Sequence, residues 1–506
     1  QARITCRRHG LSAGGRLEGR EEVDLTLINS MACQRQAIPT VITIFVFTPN
    51  PILYPMWDIK FKNSRKTKHE QLVNYITRLI DKGTLKPGQM LPTQREISAR
   101  TKISIGTVIK VFTELERRGY VKGEVGRGTF VSDYQYLSSS IENTILNFRN
   151  FEAPEFTNLS SYRALISGLN DVAQQKDLYF KLGYIEPSGS MEHKEAIAEW
   201  LKGVKLKVEP NDVMICGGTQ HGIYIALQTL CKQGDTIMVE SYCNLTLQEI
   251  NEVCGYNTVP IEMDDEGIIP EAFDQACKKT KSKVLYLMPT LHNPTCIVSP
   301  KKRREEILQV AKKHKVMILE VGVMDALLST PLPTLASYSS ENVIYISSFS
   351  KTISPGIRVG YIYTNRELLE KIEMRSRASL WMNSPLLNEV VTDLIKTGKA
   401  MTLLKGKRET IAERQKVLAK TFKGLNYITH PNAFHVWLTL PDYWKLKEFK
   451  EALLAKNIIV QPSNVFSLSK VDAYDAVRIS MGSPKTTEEL TTGLQIIADT
   501  AREQPH

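Results

Sequence analysis

The chain lacks any long uninterrupted apolar run. Its most apolar stretch, Ile38 to Pro55, is cut by Pro39, Pro49, Pro51 and Pro55, too short and too broken for a bilayer-spanning helix of about 20 residues. It lies too far from the start for an ordinary signal peptide, and no small-residue cleavage site follows it. Cysteine is sparse and scattered: eight residues, no C-x-x-C pair, and no histidine cluster at metal-ligand spacing. That argues against a disulfide framework or zinc site and for reduced thiols in a cytosol-like compartment. Lysine is missing from the first 55 residues, which carry six arginines, yet dominates from Lys60 onward. The break marks residues 1–59 as a leader. Either it is appended, with Met56 as the native start, or it is a genuine extension that is disordered or touches a membrane.

What is present reads as an ordinary soluble globular protein, 42% hydrophobic and 24% charged. A chain of 506 residues predicts roughly three domains, fewer if one is a large α/β enzyme-type fold. The formal charge of +11 invites a polyanion partner. Residues 60–133 hold 16 Lys+Arg against 7 Asp+Glu, so most of the excess is there. From Lys68 to Lys82, Leu72, Tyr75, Ile76, Leu79 and Ile80 recur at the spacing of one helix face. Gly83 ends that helix and Pro87-Gly88 makes a turn. Thr93-Gln94-Arg95-Glu96 is a capping-box pattern for a short helix to about Arg100. Ser104 caps another reaching Arg118, with Val108, Val111, Phe112 and Leu115 inward and Gly119 as the stop. Val121 to Val131 then alternates as a hairpin tipped by Gly126-Arg127-Gly128.

Two short capped helices followed by a hairpin form a winged helix-turn-helix, whose second helix enters the major groove N-terminus first. Three stretches resemble the GntR family of bacterial regulators: Leu85-Lys86-Pro87-Gly88 with Leu91 to Glu96, Thr107-Val108 with Leu115 to Val121, and Gly126 to Val131. Position then assigns DNA contacts. Arg95, Ser104 and Lys110 face phosphates or the groove, and Thr107 faces bases. Arg127, with the amides of Gly128 and Thr129, lets the wing reach the backbone or minor groove.

Residues 134–147 include Ser138-Ser139-Ser140, show little periodicity and read as a connector permitting limited movement. Residues 148–506 alternate helical and strand patterns, as an α/β fold with a large sheet does. Val213 to Cys216 is a short strand leading through Gly217-Gly218-Thr219-Gln220-His221-Gly222 into a helix from about Ile223. A strand, a glycine turn and a helix start point free amides at an anion. A second β-type run, Val343 to Ile346, enters Ser347-Ser348-Phe349-Ser350-Lys351, with Arg358 seven residues beyond the lysine.

That lysine segment resembles the cofactor-lysine segment of fold-type I aminotransferases. The resemblance implies that Lys351 bonds pyridoxal 5'-phosphate (PLP), while Ser348, Arg358, Gly218, Thr219 and Gln220 cradle its phosphate. It also implies that Asn293 donates to the cofactor's phenolic oxygen, that Arg478 forks a substrate or effector carboxylate, and that the segment of Tyr184 and Gly189 closes over the cofactor. Taken over about 68–495, the chain resembles the MocR subfamily of GntR regulators: a winged helix fused to a fold-type I aminotransferase-like effector and dimerisation domain, usually a head-to-tail dimer in the bacterial cytoplasm.

Three positions depart from the pattern. The acid that pairs with the pyridinium nitrogen falls on Val321, and Asp325 replaces it only if the loop is displaced. The ring-stacking aromatic falls on Asn244, with Tyr242 as the nearby substitute. The glycine after Asn293-Pro294-Thr295 is Cys296. A kept lysine and phosphate cup without the electronic tuning leave two outcomes: PLP held as a sensed ligand, or a scaffold that has lost it. The expected function is therefore a DNA-binding regulator that senses PLP or a related small effector. The rivals are a working aminotransferase and a regulator with an inert dimerisation domain.

Overall fold

The structure is a computed structural model that describes residues 59, 61, 67–118, 120–124, 126–132, 145–155, 159–468 and 475–504. The leader over 1–58 and connector residues 134–144 lie outside them. Among the described residues, no helix is long and apolar enough to cross a membrane.

The N-terminal elements form where the caps and the apolar spacing put them. Helix α1 spans Lys68–Asp81, α2 Gln94–Thr101 and α3 Ile105–Arg117; strands β1 (Val121–Glu124) and β2 (Gly128–Val131) pair antiparallel. Thr93 caps α2 in a full capping box, its hydroxyl accepting from the Glu96 amide while the Glu96 carboxylate takes the Thr93 amide at 2.7 Å. Ser104 caps α3. Leu72, Ile76 and Ile80 of α1 are buried with Val108, Val111, Phe112 and Leu115 of α3, so one apolar stripe per helix makes the small core. Tyr75 and Leu79 are only half-buried.

The larger part is built on a seven-stranded sheet. Its strands are β4 (Val213–Cys216), β5 (Thr236–Glu240), β6 (Asn257–Ile261), β7 (Val284–Leu287), β8 (Met317–Val321), β9 (Val343–Ser348) and β10 (Gly360–Tyr363), in the order β4-β10-β9-β8-β7-β5-β6. Only β10 runs antiparallel to its neighbours. Such a sheet is covered on both faces, so its strands read as continuous apolar runs rather than alternations; every residue of β4, β7 and β9 is buried. Helix α4 (Thr219–Leu230) follows β4 and α5 (Leu245–Cys254) follows β5. The expected helix after the glycine turn thus begins at Thr219, four residues earlier than the apolar pattern placed it. Gly218 supplies the helix cap at a φ of 93° that favours glycine.

A smaller antiparallel sheet joins Tyr427–Ile428, His435–Thr439, Ala476–Ser480 and Gln461–Pro462. Residues 146–154 run onto it as a strap. Leu146–Asn147 (β3), assigned above to the connector, instead pair parallel with Ile458–Ile459. Phe148 inserts against Gly493 in the helix Thr487–Arg502, where an added Cβ would lie 2.4 Å from the ring. Gly493→Ala should therefore overpack this seat and lower stability by about 1–3 kcal/mol, read as a lower urea midpoint with an unchanged slope.

Candidate functional site

Parallel strands carry their ligand sites beyond their carboxyl ends, and a cavity of about 240 Å³ lies there. It is lined by Thr219 and Gln220 from the start of α4, Asn244 and Thr246 at the start of α5, and Met288 and Asn293 after β7. Val321 closes β8, Ser350 and Lys351 follow β9, and Arg358 and Phe151 complete the wall. Of the residues expected to cradle a phosphate, Thr219, Gln220 and Arg358 meet at one end. Gly218 is there because nothing larger fits: an added Cβ would lie 2.6 Å from the Arg358 guanidinium. The Arg358 Nη2 donates to the Gly217 carbonyl at 3.2 Å. Ser348, the last residue of a buried strand, does not line the cavity. Its hydroxyl sits 2.9 Å from that of Thr219 and 2.8 Å from that of Ser350, so Ser350 is the hydroxyl that faces inward.

Lys351 projects into this space under the strap. Its amine donates to the Phe151 carbonyl and lies 4.7 Å from the centre of the Phe151 ring. Burial, and then the Arg478 cation, push its pKa down to about 8; Lys407 and Arg358 add to the fall and Glu152 opposes it. Arg478, 4% exposed, donates to the Asn293 side-chain oxygen at 2.7 Å and to the Arg149 carbonyl. Asn293 and Arg478 therefore meet, and the strap's own backbone occupies the guanidinium expected to fork a carboxylate. Glu152 passes so close to Gly482 that an added Cβ there would lie 1.6 Å from its carbonyl oxygen. Ser483 holds the Asn150 carbonyl at 3.3 Å, and Lys407 holds that of Pro154. Nothing in the local pattern of 146–154 marked this role; it comes from pairing with segments between 200 and 333 residues away.

The other half of the cavity holds two of the departing positions, Val321 and Asn244. Val321 stands in its wall, and among the described lining residues none is acidic. Asp325 does not substitute: it is buried elsewhere and takes the Tyr345 hydroxyl at 3.0 Å. Asn244 lines the cavity, whereas Tyr242 packs edge-on against Trp437, ring centres 5.5 Å apart. Cys296 keeps a φ of 64°, a backbone shape that favours glycine. Tyr184 does not close over the site within one chain. It is 87% exposed and meets Trp381.

In the winged helix, Arg95 and Lys110 are exposed. Arg127 at the wing tip pairs with Glu124 at 2.7 Å, an exposed pair of small worth that a phosphate can replace. Gly128 is exposed beside it, while the Thr129 carbonyl accepts from Leu91 at 2.8 Å. Thr107, expected to face bases, is half-buried, and its hydroxyl is 2.9 Å from that of the capping Ser104.

The chain matches "Aminotransferase class I and II" over residues 168–497 and "Bacterial regulatory proteins, gntR family" over 68–131. It therefore belongs to the class I and II aminotransferase family, carrying a DNA-binding GntR head. Relatives spanning both parts share this MocR-like architecture and are named as regulators. The HTH-type transcriptional regulator YdeF of Bacillus subtilis is 29% identical, over 88% of this chain and 96% of its own. NorG of Staphylococcus aureus, another HTH-type transcriptional regulator, is 24% identical over 74% and 92%. An archaeal alanine:glyoxylate aminotransferase shares the fold at a TM-score of 0.64 and 19% identity, covering 78% of this chain and 95% of its own. A Pyrococcus horikoshii kynurenine aminotransferase does so at 0.64 and 20%, covering 71% and 91%.

The lowered pKa generates a pH prediction. An ordinary lysine is protonated until about pH 10.4, so Lys351 loses its proton earlier in the fold than in the unfolded chain. The fold's penalty for holding this cation is complete below about pH 8 and relieved above it. Acylation of Lys351, followed by peptide mass spectrometry, should rise through about pH 8 in the native protein and only near pH 10 after denaturation.

Proposed function

We propose that this chain regulates transcription by holding DNA with its winged helix and sensing a small effector in the aminotransferase-like part. The effector is PLP itself, or an amine or amino acid that reacts with it. The observation that carries this is the two-sided cavity: Lys351 with a lowered pKa beside Arg358 and a helix start, facing a wall where Val321 stands. PLP, when bound, would supply an aldehyde to the Lys351 amine and a phosphate to Thr219, Gln220, Arg358 and the amide end of α4. Ser348 orients the hydroxyls of Thr219 and Ser350 from behind. Transamination also needs a carboxylate at the ring nitrogen, and Val321 has none to offer, so the site suits retention better than turnover.

The strap supports a route from effector to DNA. It follows the connector directly, and its Arg149 carbonyl holds Arg478. A carboxylate offers that guanidinium two parallel charge-assisted bonds where the carbonyl offers one. An effector carboxylate therefore displaces the strap's backbone and biases the placement of the heads. The division follows: a leader to 59, a DNA head over 60–133, a connector and strap, and an effector domain to 506. Tyr179, Phe180, Tyr184 and Trp381 stay 83%, 80%, 87% and 57% exposed. A patch of that kind marks an interface, and a second copy in a homodimer covers it.

Added PLP should give a visible absorbance band that borohydride removes and that Lys351→Ala never develops. A wild-type protein without the band would leave only the inert-scaffold reading, and turnover of an amino acid with a 2-oxo acid would revive the enzyme. On DNA, Arg95→Ala and Arg127→Ala should weaken binding to every sequence alike and reduce the salt slope by about 1 each. Unchanged salt titrations for both variants would discard the docking.

A further inference from the structure

Besides Lys110, the outward face of the first two turns of α3 carries little that can hydrogen-bond a base; Thr113, one turn on, spends its hydroxyl on the Ile109 carbonyl at 3.1 Å. Ile105 is 42% exposed and Ile109 46%, one turn apart and so on the same side of the helix. Gly106 between them meets nothing within 4 Å of where a Cβ would stand. Thr107, the polar residue expected there, spends its hydroxyl on Ser104 at 2.9 Å. Lys110 is exposed beside Ile109, a charge that a phosphate satisfies as well as a base does. The first two turns of the helix thus present two branched apolar side chains around a gap.

Single exposed isoleucines need no explanation. This pair needs one because it stands at the start of the groove-entering helix, in the most basic segment of the chain, net +9 over 60–133. That charge favours a polyanion over an apolar protein surface as the occupant. In the major groove guanine, adenine and cytosine offer donors and acceptors. Thymine alone adds an apolar group, its C5 methyl. Isoleucine pressed on guanine N7 and O6 strips water from acceptors and returns no donor. Pressed on a thymine methyl, it removes apolar area on both sides.

We infer that Ile105 and Ile109 are specificity-determining residues that read thymine methyl groups in each operator half-site, with Gly106 allowing the helix to approach closely. The inference rests on the winged helix docking α3 into the major groove.

The test separates the two claims. Operators are selected from random duplex DNA with the full chain, and each thymine of the winning site is then replaced in turn by deoxyuridine, which removes only the methyl. At one or two positions wild type should lose about fourfold in affinity, the effect of one buried methyl. Ile105→Ala or Ile109→Ala should bind the thymine operator more weakly by a similar factor and be indifferent to deoxyuridine at the matching position. Both side chains are exposed, so the thermal unfolding of these variants should match wild type. Deoxyuridine without effect anywhere, or the same loss persisting in both variants, overturns the reading of methyls while leaving groove docking intact. Failure of wild type to bind any duplex at low salt overturns the docking itself.

Discussion

Two cations cannot share a small buried space unless something polar stands between them. Lys351 and Arg478 are in that position, and among the described residues lining the cavity no acid neutralises them. The carbonyls of Phe151 and Arg149 take one each, and Asn293 supplies a second acceptor to Arg478. Burial and mutual repulsion lower the Lys351 pKa, which makes its amine available near neutral pH. The same constraint makes the strap necessary: with its carbonyls removed and nothing in their place, two donors would be buried unpaired.

From that constraint the remaining features become intelligible. The strap is held by contacts to segments distant in sequence, through Ser483, Lys407 and the close pass at Gly482. It is also the stretch of chain that follows the connector to the winged helix. In the proposed function, a molecule carrying a carboxylate would compete for the Arg478 guanidinium that the strap uses, and so link occupancy of the cavity to the position of the chain leading to the DNA head. Val321 matters in the same proposal, because a site without the ring-nitrogen acid would suit holding a ligand better than consuming it.

Much of the site was legible in the primary structure. Strand, glycine turn and helix start place Thr219 and Gln220 on the cavity wall, and the segment after β9 places Lys351 and Arg358 there, because backbone geometry ties these groups to their neighbours in sequence. Asn293 and Arg478 were named separately, yet their 2.7 Å contact belongs to the fold. The contact of Thr107 has a local origin: a hydroxyl three residues after a capping serine can turn back to it, as here. Ser348 is buried at the end of β9 with its hydroxyl held between those of Thr219 and Ser350, and Ser350, beyond the strand, is the serine that lines the cavity.

The order of amino acids alone determined the winged helix, the α/β character of the larger part and the loss at Val321. Caps, periodicity and the identity of one side chain are local properties. Only the tertiary structure decided that Phe151 of the strap lines the cavity, that Asp325 is turned away towards Tyr345, and that α3 shows isoleucines outward. Each of these depends on which distant surface a segment meets, a choice set by packing of the whole core and not by the residues of the segment itself.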